Sequence, residues 1–188
     1  MKALLLVLPL ALATVACSRP PPRSPDATVL TAPDGSARAL RDVARAAPLT
    51  VAVFIAADCP CLDAHLERIR ALATSYGARG VQFVAIDSEV GGTPARAAEA
   101  GKTLRLPFPV LVDERAELAD AVGAEFATYT VVVDREARVL YRGGIDSDKR
   151  KLHGDATPYV ADALEDALAG RPVRRSEGRA LGCSLRKW

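Results

Sequence analysis

The sequence has no excess of charge of either sign: 25 Lys and Arg stand against 23 Asp and Glu in 188 residues, a formal net charge of +2. Nucleic-acid binding driven by bulk charge is thereby excluded. No hydrophobic run reaches the roughly 20 residues that a membrane-spanning helix needs. The most apolar stretch, residues 3–16, stops at fourteen and carries Pro9. Glycine and proline, 13 of each, are too few for a collagen-like chain, and at 49% hydrophobic residues the chain is not a disordered one. Cysteine is also scarce, four in all, which excludes a disulfide scaffold and suggests at most two bridges. There is no internal repeat and no segment long enough to be a second independent domain.

What the N-terminus does hold is an address. Lys2 precedes the apolar run, which closes on Thr14-Val15-Ala16-Cys17. A short apolar core behind a basic residue reads as a secretory signal, residues 1–16. Small residues before a cysteine resemble the lipobox of bacterial lipoproteins, with Thr14 standing where leucine is usual. An ordinary secretory signal with an incidental cysteine is the other reading. The resemblance implies that Cys17 carries lipid and that residues 17–26, with Pro20, Pro21, Pro22 and Pro25, form an extended tether. It implies further that Ser18, next after the cysteine, directs the protein to the outer membrane of a Gram-negative cell, lipid-anchored on the periplasmic side. On either reading the domain works outside the cytoplasm, where disulfides persist.

Residues 27–170 read as one α/β domain. Two short β stretches in residues 27–43 flank the turn Pro33-Asp34-Gly35. Residues 50–56 (TVAVFIA) form an apolar, β-branched run expected of a strand buried on both faces. A helix follows Asp58-Cys59-Pro60-Cys61, with Leu62, Leu66, Ile69 and Leu72 at helical spacing and an end before Gly77. Residues 81–86 are a second buried strand, residues 94–104 a helix, residues 110–112 a short strand and residues 114–122 a helix. Strands at 128–133 and 139–141 precede a last helix at 155–169, with Pro158 in its first turn and Gly170 at its end. That order predicts a mixed central sheet with helices on both faces and an N-terminal β extension.

The order is similar to the thioredoxin fold. Four segments narrow the likeness: VAVFIAADCP (51–60), GVQFVAIDSEVG (80–91), LPFPVLVDERAELADAVGA (106–124) and VLYRGGID (139–146). Together they resemble the peroxiredoxin-like redoxins of the alkyl hydroperoxide reductase and thiol-specific antioxidant superfamily. The end of the chain, GRPVRRSEGRALGCSLRKW (170–188), resembles the tail of one subgroup. The sequence departs from the better-known members in four places. Ala56 stands where full peroxiredoxins carry a peroxide-orienting threonine. Cys59-Pro60-Cys61 is one residue tighter than the thioredoxin pair. Thr128 stands where thioredoxins place a cis-proline, and the arginine that peroxiredoxins often carry near there is missing.

A thiolate is the attacking species in disulfide exchange, and a helix N-terminus favours it. Cys59, between a buried strand and a helix-starting proline, is therefore the expected nucleophile, and an ionised Asp58 beside it would oppose its negative charge. Cys61 is one candidate for resolving an oxidised Cys59, at the cost of ring strain. Cys183 is another, provided a flexible tail brings it back; alternatively it pins the tail in a static disulfide. His65, four residues after Cys61, shares its helix face and either tunes the thiol, ligates metal or is a solvated surface group. His153 reads as a loop residue. The basic residues of 171–188 read as a solvated tail, or as a contact for anionic lipid headgroups, with Trp188 docking on the domain.

Three functions compete. The first is a membrane-anchored, extracytoplasmic thiol–disulfide oxidoreductase or peroxiredoxin-like protein with Cys59, Cys61 and Cys183 as catalytic residues and no cofactor. Its partner is a thiol or disulfide client protein or a small thiol reductant, and Ala56 counts against peroxidase activity. The second is a Cu(I) metallochaperone resembling the Sco type, with Cys59, Cys61 and either His65 or His153 as ligands. The third is a scaffold with its cysteines locked. Peroxiredoxin relatives further imply a homodimer. If Cys17 carries lipid, three cysteines remain, and an odd number cannot all pair within one chain.

Overall fold

All seven residues of Leu49–Ile55, six of them apolar and four of them β-branched, are buried, so this strand sits inside the sheet with both faces covered. The computed structural model describes residues 24–187. The signal peptide, Cys17, the tether as far as residue 23 and Trp188 lie outside the described residues. After a 3-10 turn at Pro25–Ala27 the elements are β1 (Val29–Thr31), β2 (Ala37–Ala39), α1 (Leu40–Ala44), β3 (Leu49–Ile55), α2 (Pro60–Gly77), β4 (Val81–Asp87), α3 (Pro94–Thr103), β5 (Val110–Val112), α4 (Glu117–Val122), β6 (Thr130–Asp134), β7 (Val139–Gly143) and α5 (Tyr159–Leu168). No described helix is long and apolar enough to cross a membrane.

One seven-stranded sheet runs in the order β2-β1-β5-β4-β3-β6-β7. β3 pairs in parallel with β4 from Leu49↔Val81 to Ile55↔Asp87, and antiparallel with β6 from Leu49↔Asp134 to Val53↔Thr130. The sheet is thus mixed. The expected N-terminal extension is the β1–β2 hairpin, tied to β5 through Thr31↔Val112. β6 is also buried at every residue, which requires packing on both of its faces.

Two helices start later than the sequence suggests. α4 begins at Glu117 because Ala116 turns left-handed (φ 54°) and the Asp113 carboxylate accepts from the N–H groups of Leu118 and Ala119. α5 begins at Tyr159 with Pro158 as its cap, because a residue before proline is driven out of helical conformation. Thr157 is instead tied to Ser147 by a main-chain bond and by the Ser147 hydroxyl.

The tail is not the solvated segment the sequence suggests. Arg142 donates its N–H to Ser176 O, and Gly178 donates to Arg142 O, which lays the tail alongside β7. The chain then pairs antiparallel with residues 125–127: Ala127 N donates to Cys183 O (2.8 Å) and Leu185 N to Glu125 O (2.9 Å). Glycines permit this approach. A Cβ on Gly143 would lie 2.1 Å from Gly178 O, and one on Gly182 would lie 2.0 Å from Ala127 O. Charge then fastens the end. Arg186 pairs with Glu89, and Lys187 with Asp120 and Glu125.

Candidate functional site

Cys59 caps α2 at the point where the chain leaves β3. Its backbone is extended (φ −96°, ψ 111°), its N–H donates to Ala56 O, and its own carbonyl accepts the first helical bond, from Asp63 N. Pro60 follows at the first helical position, where its missing N–H costs nothing. Cys61 lies in the same turn. Both are buried, at 1% and 6% exposure, and the docked tail brings Cys183 to them. The three Sγ atoms lie within 4.8 Å of one another, and all three cysteines are free thiols.

Thr128 shapes the facing wall. Its φ of 74° is unusual for a β-branched residue and stores strain of about 1–3 kcal/mol. Its N–H donates to Phe54 O, continuing the β3–β6 pairing, while its hydroxyl donates to Leu181 O in the tail. In place of the cis-proline of thioredoxins, the chain has a kinked threonine that helps seat the segment carrying Cys183.

The surroundings divide the thiols. Burial pushes the Cys59 thiol up, but the Cys183 thiol hydrogen bond and the N–H groups of Leu62, Cys183 and Cys61 outweigh it and leave Cys59 below the ordinary thiol value. The same hydrogen bond, together with burial, pushes Cys183 up to about 11. Neutral donors at a helix N-terminus thus favour the thiolate form of Cys59. Asp58 points to solvent, where it interacts with Arg186.

The histidines stand apart from the sulfur cluster. His65 is buried on the core side of α2, not solvated. Its Nδ1 donates to Cys61 O (2.7 Å) and its Nε2 to Asp146 Oδ1 (3.3 Å). Arg68 bridges Asp146 and Asp148 at 2.6 and 2.9 Å. Burial pushes the His65 imidazole down, but the Asp146 carboxylate and the Cys61 carbonyl reverse this and raise it. His153 is exposed and holds Asp148 through Nδ1 (2.8 Å). Beside this network a cavity of about 610 Å³ opens between α2 and α5, lined in part by Arg68, Tyr76, Arg79, His153 and Glu165 and by none of the cysteines.

Of the residues singled out in the sequence, the structure therefore gathers Cys59, Cys61 and Cys183, and places His65 and His153 elsewhere. Sequence reasoning missed the tail clamp: Gly182 against Ala127, and Glu89, Asp120 and Glu125 against Arg186 and Lys187. The one available signal was Gly182 itself, next to the cysteine.

A mixed sheet with a cysteine capping the helix after its inner strand defines a thioredoxin-like fold. Within it the chain belongs to the Redoxin family, whose model matches residues 22–158. That match includes Cys59 and Cys61 and ends before the tail. Among solved structures the chain is similar to an uncharacterized conserved protein from Geobacillus kaustophilus, 32% identical over 88% of this chain and 90% of that one, with a TM-score of 0.75. It is similar to a hypothetical protein from Sinorhizobium meliloti, 26% identical over 85% and 90%, with a TM-score of 0.74. The peroxidoxin BcpB from Mycobacterium tuberculosis shares the fold, at 20% identity over 75% and 88% and a TM-score of 0.53. No curated protein matches the chain.

Proposed function

We propose that the protein is a thiol–disulfide oxidoreductase in which Cys59 attacks and Cys183 resolves. The observation that carries this reading is the gathering of the Cys59 and Cys183 sulfurs within 4.8 Å of each other at the start of α2, which draws the Cys59 thiol below its ordinary value and pushes that of Cys183 up. The Cys59 thiolate attacks one sulfur of a client disulfide, forming a mixed disulfide and releasing one client thiolate. With the Cys59 charge gone, the main cause of the raised Cys183 value disappears. Cys183 gives up its proton to that client thiolate and attacks Cys59 Sγ. The second client thiolate leaves and takes a proton from water. The client has gained two electrons and two protons, and the protein holds a Cys59–Cys183 disulfide that a small thiol reductant or a protein dithiol reduces again. Cys61 is a poorer resolver, because a Cys-x-Cys bridge closes a strained ring.

Peroxide reduction fits the site less well, since Ala56 offers no hydroxyl to orient a peroxide. The lipobox-like residues before Cys17 support lipid anchoring, and Ser18 after it favours the outer membrane, on whose periplasmic side a client disulfide would persist.

Trapping tests the order of steps. With a disulfide peptide as client, Cys183→Ser should accumulate the mixed disulfide on Cys59, Cys61→Ser should turn over, and Cys59→Ser should form no adduct. An unchanged exchange rate in Cys59→Ser would sink the reading.

A further inference from the structure

Thiol exchange uses two of the three clustered sulfurs and leaves Cys61 without a role, although it is buried and lies within 4.8 Å of both others. We propose that the reduced triad of Cys59, Cys61 and Cys183 is a trigonal thiolate site for Cu(I). Metal–thiolate bonds of about 2.3 Å arranged in a plane set the sulfurs about 4 Å apart, so the cluster needs to close by less than an ångström. Thiolates are the ligands that select soft cations. Coordination number separates the candidates. Structural zinc takes four ligands, and the cluster among the described residues has three, all sulfur. Neither histidine belongs to the cluster: both ring nitrogens of His65 are taken by Asp146 and the Cys61 carbonyl, and His153 lines the cavity between α2 and α5, which no cysteine borders. A copper site of two cysteines and a histidine, the arrangement considered for the sequence, is thus replaced by one in which the tail supplies the third ligand.

The site is held in shape before any ion arrives. Cys59 and Cys61 are fixed by the first turn of α2. Cys183 is fixed by the Ala127 N–H on its carbonyl and by Gly182 closing on Ala127 O. Cys59 caps the N-terminus of α2, whose free N–H groups and dipole offset the negative charge of a tris-thiolate complex. The inference is independent of the thiol-exchange reading and explains the cysteine that reading leaves over.

The test is titration of the reduced full-length chain with Cu(I), without oxygen, against a coloured Cu(I) chelator. One equivalent should bind and protect all three thiols from alkylation, and X-ray absorption should show three sulfurs and no nitrogen. Cys61→Ser should weaken Cu(I) by more than about 100-fold, beyond what loss of a group behind the ligands costs, while His153→Gln leaves it unchanged. Copper kept entirely by the chelator overturns the proposal, as do alkylation of Cys59, Cys61 or Cys183 in the loaded protein, a nitrogen ligand, or Zn(II) held as tightly. Cys61→Ser separates the two readings: it should lose copper and keep disulfide exchange. Exchange without copper binding in the unaltered chain sinks the copper site alone. Copper binding without exchange sinks the oxidoreductase alone.

Discussion

Replacing Gly182 with alanine should undock the tail and take Cys183 away from Cys59. The new Cβ would stand 2.0 Å from Ala127 O, and ordinary contact begins at 3.4 Å. If the tail retreats by that difference, the 2.8 Å bond from Ala127 N to Cys183 O stretches past 4 Å and is lost. The segment has little to spare. Its three main-chain bonds, from Ala127, Leu185 and Val90, are worth about 1 kcal/mol each. Burying Leu185 adds about 2 kcal/mol. Against roughly 5 kcal/mol in favour, ordering the backbone of residues 183–187 costs at least about 5 kcal/mol. Docking is near balance on these terms, and the ion pairs of Arg186 and Lys187 tip it. Amide hydrogen exchange reads the outcome: the N–H groups of Ala127, Leu185 and Val90 should lose at least about tenfold of their protection while those of β3 keep theirs. Cys59 should then need higher pH to react with iodoacetamide, because the Cys183 donors that lower its thiol are gone. Gly154→Ala, where a Cβ meets nothing within 4 Å, is the control. Unchanged protection at Ala127 and an unchanged Cys59 profile in Gly182→Ala would refute the reasoning.

Three further outcomes can be tested, two from the same geometry and one from the sequence before Cys17. Cys183→Ala removes the thiol that donates to Cys59, so the pH profile of Cys59 alkylation should move upward with the tail still docked; a profile that stays in place means the backbone N–H groups suffice. Asp146→Asn takes the charge from the His65–Asp146–Arg68 network and should cost about 2–3 kcal/mol in urea unfolding. Because His65 is raised above its ordinary 6.5, its share of stability is full below pH 6.5 and is lost as pH rises through the raised value. In Asp146→Asn that decline on the alkaline side should flatten, and a histidine NMR titration should show His65 moving to lower pH. Cys17→Ser should release the protein from the membrane fraction and abolish incorporation of labelled fatty acid. Retention of either label or membrane association would refute lipidation at that residue.

The parts of the fold legible in the sequence are those whose signal is local. The runs at β3 and β4 are apolar enough to demand burial on both faces, and Cys59-Pro60 marks a helix start by the chemistry of proline alone. The late start of α4 was hidden by the unusual turn at Ala116, whereas that of α5 was legible in Pro158, which keeps the residue before it out of a helix. Asp113 captures two N–H groups of α4 and also the Ser88 hydroxyl, and Ala116 turns left-handed without being glycine. His65 was half legible. It follows Leu62 by three residues and precedes Ile69 by four, so it falls on the buried stripe. Its partner Asp146 is 81 residues away, and no spacing rule reaches that far.

The same limit explains the site. A tail rich in arginine looks solvated when its charges are counted, because counting cannot show that Glu89, 97 residues before Arg186, waits on the loop after β4. What decides the matter is space rather than charge. Gly143, Gly144, Gly178 and Gly182 are positions where backbone passes backbone or an aromatic ring, and any side chain there collides with Gly178 O, Arg179 O, Tyr141 Oη or Ala127 O at 2.0 to 2.6 Å. A free tail would place no such demand on its glycines. Their absence of side chains is what lets Cys183 meet Cys59, and the nearness of those two thiols draws the Cys59 thiol below its ordinary value and pushes that of Cys183 up. The reactivity proposed for Cys59 therefore belongs to a contact between the start of α2 and the segment carrying Cys183.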